Sequence, residues 1–156
     1  MAEAKDIDNS LEFLRHFEKN TENSDLGSLI REKLSFDKKS LDLLGCRLKE
    51  DDFKSIAEAN PLKSLSHLNL EQTGLNSSGL QPLSASDCFS NLEKLSLANN
   101  NLDDEALFFL SKCKALTLLT DLNLSSNEIS TLGAKVLSLA EGMNSLEQLN
   151  FSYNRL

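Results

Sequence analysis

The chain has 156 residues, a formal net charge of −8 and ordinary apolar and charged fractions of 40% and 26%, so it is bounded to one domain or one continuous array. An acidic surface disfavours phosphate backbones and anionic membranes, which excludes nucleic acid and membrane as expected partners and favours another protein with a basic surface. No apolar run approaches the ~18 residues of a membrane span, and the polar, acidic start MAEAKDIDNS is not a Sec-type signal peptide, so the expected compartment is the cytoplasm.

Residues 1–37 lack the strand signature that recurs later in the chain. Asn9 followed by Glu12 is a capping-box variant, and it predicts a helix with Leu11, Leu14 and Phe17 on one face. Thr21 to Ser24 is polar and turn-like. Leu26, Leu29, Ile30 and Leu34 then predict a second helix. Leu26 and Leu29 fall one period before Phe53 and Ile56, as the helical half of a decayed first repeat would. The expectation is an N-terminal helical cap over residues 1–37 that shields Leu41 and Leu43 from water. A partner-binding helical arm is the alternative.

From residue 38 onward one pattern recurs every 27 residues, in units beginning near 38, 65, 92, 119 and 146. Leu119, Leu122, Leu124 and Ile129 have Leu92, Leu95, Leu97 and Leu102 one step back, and Leu65, Leu68, Leu70 and Leu75 two steps back. One step forward stand Leu146, Leu149, Phe151 and Leu156. The first copy, Leu41, Leu43 and Leu48, is degenerate, with Lys38 at its leading position. Self-similarity at a fixed period marks a repeat architecture spanning 38–156. In each unit the L-x-L core predicts a short strand with both apolar residues turned inward. A polar column, Cys46, Thr73, Asn100, Asn127 and Asn154, closes the turn that follows, where an Asn side chain satisfies backbone groups. Leu80 and Leu83, like Leu107 and Leu110, have helical spacing. Asn76, Asp103 and Ser130 stand ready as N-caps, whereas Lys49 breaks that column and Asp51 is the expected substitute. Gly79, Ala106 and Gly133 share one further column, in which Asp52 is the exception.

Each unit is therefore strand, turn, helix, and it buries its apolar face only against its neighbours. The expected fold is an α/β curved solenoid of about five such repeats, with a parallel sheet on the concave side, helices on the convex side and the helical cap in front. The segments LSHLNLEQTGL, LEKLSLANNNL, LTDLNLSSNEI and LEQLNFSYNRL resemble the leucine-rich repeat family, and GLQPL in the helical half resembles its ribonuclease-inhibitor-like subclass. That subclass usually has units of 28 or 29 residues. The resemblance implies a non-catalytic protein-interaction module that inhibits a partner enzyme by occluding it. In general style the chain is also similar to leucine-rich repeat effectors of intracellular bacteria, which implies the host-cell cytosol. Two other readings stay open: a sensor or scaffold segment of a larger protein, and, ranked below it, an enzyme regulator of this fold.

The outward strand positions supply the candidate site. They include Asp42, Leu44, His67, Asn69, Glu71, Lys94, Asp121, Asn123, Gln148 and Asn150, with Ser40, Ser96, Ala98, Ser125 and Ser152 beside them. Gln72, Asn99, Ser126 and Tyr153 lie just beyond. Leu44 and Tyr153 are the candidate apolar anchors, and Lys94 beside Asp121 is a possible cross-strand ion pair of little worth. The convex helices show no comparable apolar surface column. After the fifth signature, at Leu156, no helix follows. Continuation of the natural chain is the first expectation there, and pairing of an open strand edge the second.

Enzyme motifs are missing. There is no phosphate-binding Gly loop, H-E-x-x-H or G-x-S-x-G, and the only two histidines, His16 and His67, fall in different regions. Cys46, Cys88 and Cys113 fit no metal ladder, and free buried thiols are expected. No cofactor or metal is expected.

Overall fold

The computed structural model describes residues 24–156; the predicted first helix around Leu11, Leu14 and Phe17 lies outside them. Helix α1, Ser24–Lys33, buries Leu26 and Ile30 and packs on strand β1, Ser40–Asp42. Between them the chain doubles back. Leu34 bridges Leu41 antiparallel, and the Ser35 N–H donates to the Ser40 carbonyl at 2.8 Å. The first strand is therefore not left as an open edge.

The repeats follow as expected. Strands β2 (His67–Asn69), β3 (Lys94–Ser96), β4 (Asp121–Asn123) and β5 (Gln148–Asn150) add in sequence order to β1, all parallel. Equivalent residues pair across every step, with Leu41, Leu68, Leu95, Leu122 and Leu149 in one row. Helices α2 (Glu50–Glu58), α3 (Ser77–Ala85), α4 (Asp104–Lys112) and α5 (Thr131–Leu137) form the second layer. Short 3-10 turns at Asn60–Ser64 and Asp87–Phe89 lead back to β2 and β3. A helix is wider than a strand, so a stack of such units bends with its sheet on the inner side.

The core lies between the layers and runs continuously from Leu26 to Leu137. Leu70, Leu97 and Leu124 are fully buried, as are Leu80, Leu83, Leu107 and Leu110 on the facing helices. Each such side chain contributes about 1.5–3 kcal/mol relative to exposure. The small-residue column sets how closely the helices approach. A Cβ on Gly79 would stand 2.7 Å from the Phe53 ring, and one on Gly133 would overlap Asp104.

Asn76, Asp103 and Ser130 cap α3, α4 and α5 through their side chains. Helix α2 departs from expectation. Asp52, not Asp51, reaches back, and its Oδ2 accepts the Lys49 N–H at 2.8 Å. Lys49 has no acceptor for the helix N–H groups, so only the reverse half of the box can form.

The Asn column is a ladder between repeats. Asn100 Oδ1 accepts the N–H groups of Thr73, Gly74 and Leu75 at 3.0–3.1 Å, and Nδ2 faces the carbonyls of Leu70, Leu97 and Ala98. Asn127 and Asn154 also accept one turn N–H from the preceding repeat and donate to carbonyls on both sides. Cys46, at the head of the column, is half-exposed and not buried. It follows the first strand among the described residues, and no earlier strand turn among them receives a hydrogen bond from it.

Candidate functional site

Two rows of side chains point out from the sheet. The first is Ser40, His67, Lys94, Asp121 and Gln148; the second is Asp42, Asn69, Ser96, Asn123 and Asn150. Adjacent strands lie ~4.8 Å apart, so each row spans roughly 20 Å. Over β1 to β4 they line a shallow groove of 330 Å³.

The second row is partly committed to structure, which the sequence reasoning missed. Asp42, Asn69, Asn123 and Asn150 each turn Oδ1 onto the N–H two residues ahead, at 3.0–3.1 Å. These Asx turns end the strands. The signal was visible as a column of Asp or Asn directly after the inward residue. Ser96 is the member that makes no such turn, and its buried Oγ has no hydrogen-bond partner.

In the first row His67 is held by Ser66, with Oγ and Nδ1 2.8 Å apart. Lys94 and Asp121 are register neighbours yet form no ion pair among the described residues, contrary to expectation. Both side chains stay available to a partner, because a solvated pair gains too little to immobilise two flexible ends.

Past the strands, Leu44 is 51% exposed and Glu71 accepts from Asn99 Nδ2 at 2.8 Å. Ala98 corrects its expected outward place: it is buried, because the strand has ended at Ser96 and its methyl group does not reach past its neighbours. Gly45, Gln72, Asn99, Ser126 and Tyr153 form the rim, all with φ between 51° and 71°. The turn imposes this left-handed backbone and points the N–H of the first four at the next repeat; Gln72 donates to Ala98 and Ser126 to Ser152. A bulky residue there is an outlier, and Tyr153 is 85% exposed.

Cys88 and Cys113 are buried. Burial pushes the Cys88 thiol up to about 12 and raises that of Cys113, so neither is a nucleophile at neutral pH. No group of three or more His, Cys, Asp or Glu with metal-binding geometry occurs among the described residues. Nor is any helix there long and apolar enough to cross a membrane.

Comparison with known proteins agrees with this geometry. A family model described as "Leucine Rich repeat" matches residues 90–111 and 115–138. The chain has the leucine-rich repeat fold. Among solved structures, the tropomodulin C-terminal domain of Caenorhabditis elegans shares the fold. Its TM-score is 0.60 at 24% identity, over 83% of this chain and 84% of that one. No curated protein sequence matches. Leucine-rich repeat domains are generally non-catalytic binding modules.

Proposed function

We propose that this leucine-rich repeat array is a non-catalytic module that binds another protein on its concave sheet. The observation that carries the proposal is the groove of 330 Å³ over β1 to β4, set on a backbone locked by the Asn ladder and the Asx turns. Side chains on so rigid a base lose little further freedom on binding. Leu44 and Tyr153 are the apolar anchors at opposite ends, and His67, Lys94, Asp121 and Gln148 supply directional contacts. Asp42, Asn69, Glu71, Asn123 and Asn150 keep the shape and add polar contacts.

Carboxylates outnumber cations on this face. Asp42, Glu71 and Asp121 stand against Lys94, which favours a partner with a basic segment. Binding would inhibit an enzyme whose active site lies under the covered surface.

The test uses a partner recovered with the whole chain as bait and measured by calorimetry. Leu44→Glu and Tyr153→Ala are expected to weaken binding by about 2 kcal/mol or more. His67→Ala weakens it less, and Asp121→Lys weakens it most at low salt. Unchanged affinity in these variants, with binding lost on deleting residues 1–20, would assign the site to the N-terminal arm.

A further inference from the structure

The first outward row of the concave sheet sets one lysine and one carboxylate side by side. Lys94 on β3 and Asp121 on β4 are register neighbours, so their Cα atoms lie ~4.8 Å apart. Neither side chain makes a hydrogen bond or an ion pair with a described residue. Lys94 is exposed and Asp121 half-buried, and both line the groove of 330 Å³. Such a pair is bipolar. Its complement is an acid and a base held the same distance apart, whatever the net charge around them.

The spacing of the row matches a helix. The groove runs over β1 to β4, three strand steps of ~4.8 Å each. Residues three, seven and ten places along an α-helix share one face and lie ~4.5, ~10.5 and ~15 Å along its axis. They stay within ~1 Å of the row over all three steps. An extended segment has ~6.8 Å between residues on one face and drifts from the row by ~6 Å over the same distance. The second row lets a helix come close, because Asp42, Asn69 and Asn123 bend onto their own backbone.

The other two carboxylates of this face stand on the far side of Lys94. Asp42 belongs to β1, and Glu71 follows β2. Along the array the sign therefore runs negative, positive, negative. A partner that places an acid on Lys94 meets carboxylates on both sides of it, and basic residues there complete the match. The segment is basic overall, with one acid at its centre.

We propose that the concave groove binds an α-helix of a partner protein, laid along the array across β1 to β4, with an Asp or Glu on Lys94 and a Lys or Arg three or four residues away on Asp121. The proposal rests on the concave-face reading and specifies the partner's chemistry. Three residues of helix advance ~4.5 Å, which sets the partner's two charges over the two of the sheet. Each ion then meets its opposite, and like charges lie on the diagonals.

The test selects two displayed libraries on the whole immobilised protein. One holds alanine-rich, helix-forming peptides of ~14 residues, the other linear peptides of equal length without helix bias. The helical library is expected to enrich, with an acid and a base three or four residues apart, and a proline between them should abolish binding. Lys94→Glu, at an exposed side chain, should weaken the selected peptides about tenfold or more. Reselection on that variant should return Lys or Arg at both positions, a gain that misfolding does not produce. A helical library that does not enrich, or selected peptides with acid and base at alternate residues, would overturn the helix; Leu44→Glu and Tyr153→Ala would then still weaken the partner if the concave face is the site. Binding unmoved by Lys94→Glu, Leu44→Glu and Tyr153→Ala would overturn both. Self-association in sedimentation that Lys94→Glu abolishes would overturn the helix as well, by assigning the face to a second copy.

Discussion

Asn100 does more for this fold than any single leucine column shows. Its side chain joins three N–H groups of the preceding turn to carbonyls on both sides, and it is buried. Removing it strands donors that water cannot reach, and each buried unsatisfied group costs ~1–3 kcal/mol. Asn100→Ala should therefore lower stability by roughly 3 kcal/mol or more in denaturant titration. A loss below about 1 kcal/mol would mean that water replaces the amide. The strained rim gives the opposite sign. Tyr153 has φ 57°, which L-residues adopt at a cost of ~1–2 kcal/mol, and Gly45 occupies the same position one array-length earlier. Tyr153→Gly should leave the melting midpoint unchanged or raise it, even as partner binding falls. That divergence separates a binding role from a structural one.

Helix contacts are governed by size rather than propensity. Replacing glycine by alanine inside a helix ordinarily stabilises by ~1 kcal/mol. At Gly79 the added methyl would meet the Phe53 ring at 2.7 Å and Leu75 at 3.0 Å, so one helix must move off its neighbour. Gly79→Ala is expected to destabilise by about 1–3 kcal/mol, the usual range for overpacking. A stabilised variant would show that the α2–α3 spacing is loose. Neighbouring helices are also stitched by acids. Asp103 accepts from Ser77 Oγ at 2.6 Å, and Asp104 from Ser130 Oγ at 2.6 Å. Each spans one repeat interface.

Those stitches give the whole molecule an acid-sensitive term. Asp103 and Asp104 are held below the usual value of 3.8, chiefly by the Ser77 and Ser130 hydroxyls. A carboxyl with a lowered folded pKa contributes its full stabilisation above the unfolded value and loses it as pH falls through the folded one. The array should hold this contribution above about pH 4 and lose it below. Asp103→Asn with Asp104→Asn should flatten the acid limb of a plot of melting midpoint against pH. Stability in a stacked array passes from neighbour to neighbour, so a central lesion acts on every repeat. Leu97 is completely buried, and Leu97→Asp, which places an unpaired charge there, should abolish the cooperative melt followed by circular dichroism.

By itself the sequence determined the repeat length, the inward columns of every strand and helix, the Asn ladder's position and three of the four repeat N-caps. These are periodic properties. A residue that is buried once per turn of the array recurs at 27-residue steps, and the repetition amplifies a signal that one copy would leave ambiguous between strand and helix. Features set by a neighbour's geometry were decided only by the tertiary structure. Ala98 is buried because β3 ends early, and Cys46 is half-exposed because no earlier strand stands before its own among the described residues. Lys94 and Asp121 share a register yet do not pair, and Asp42, Asn69, Asn123 and Asn150 turn an oxygen onto their own backbone.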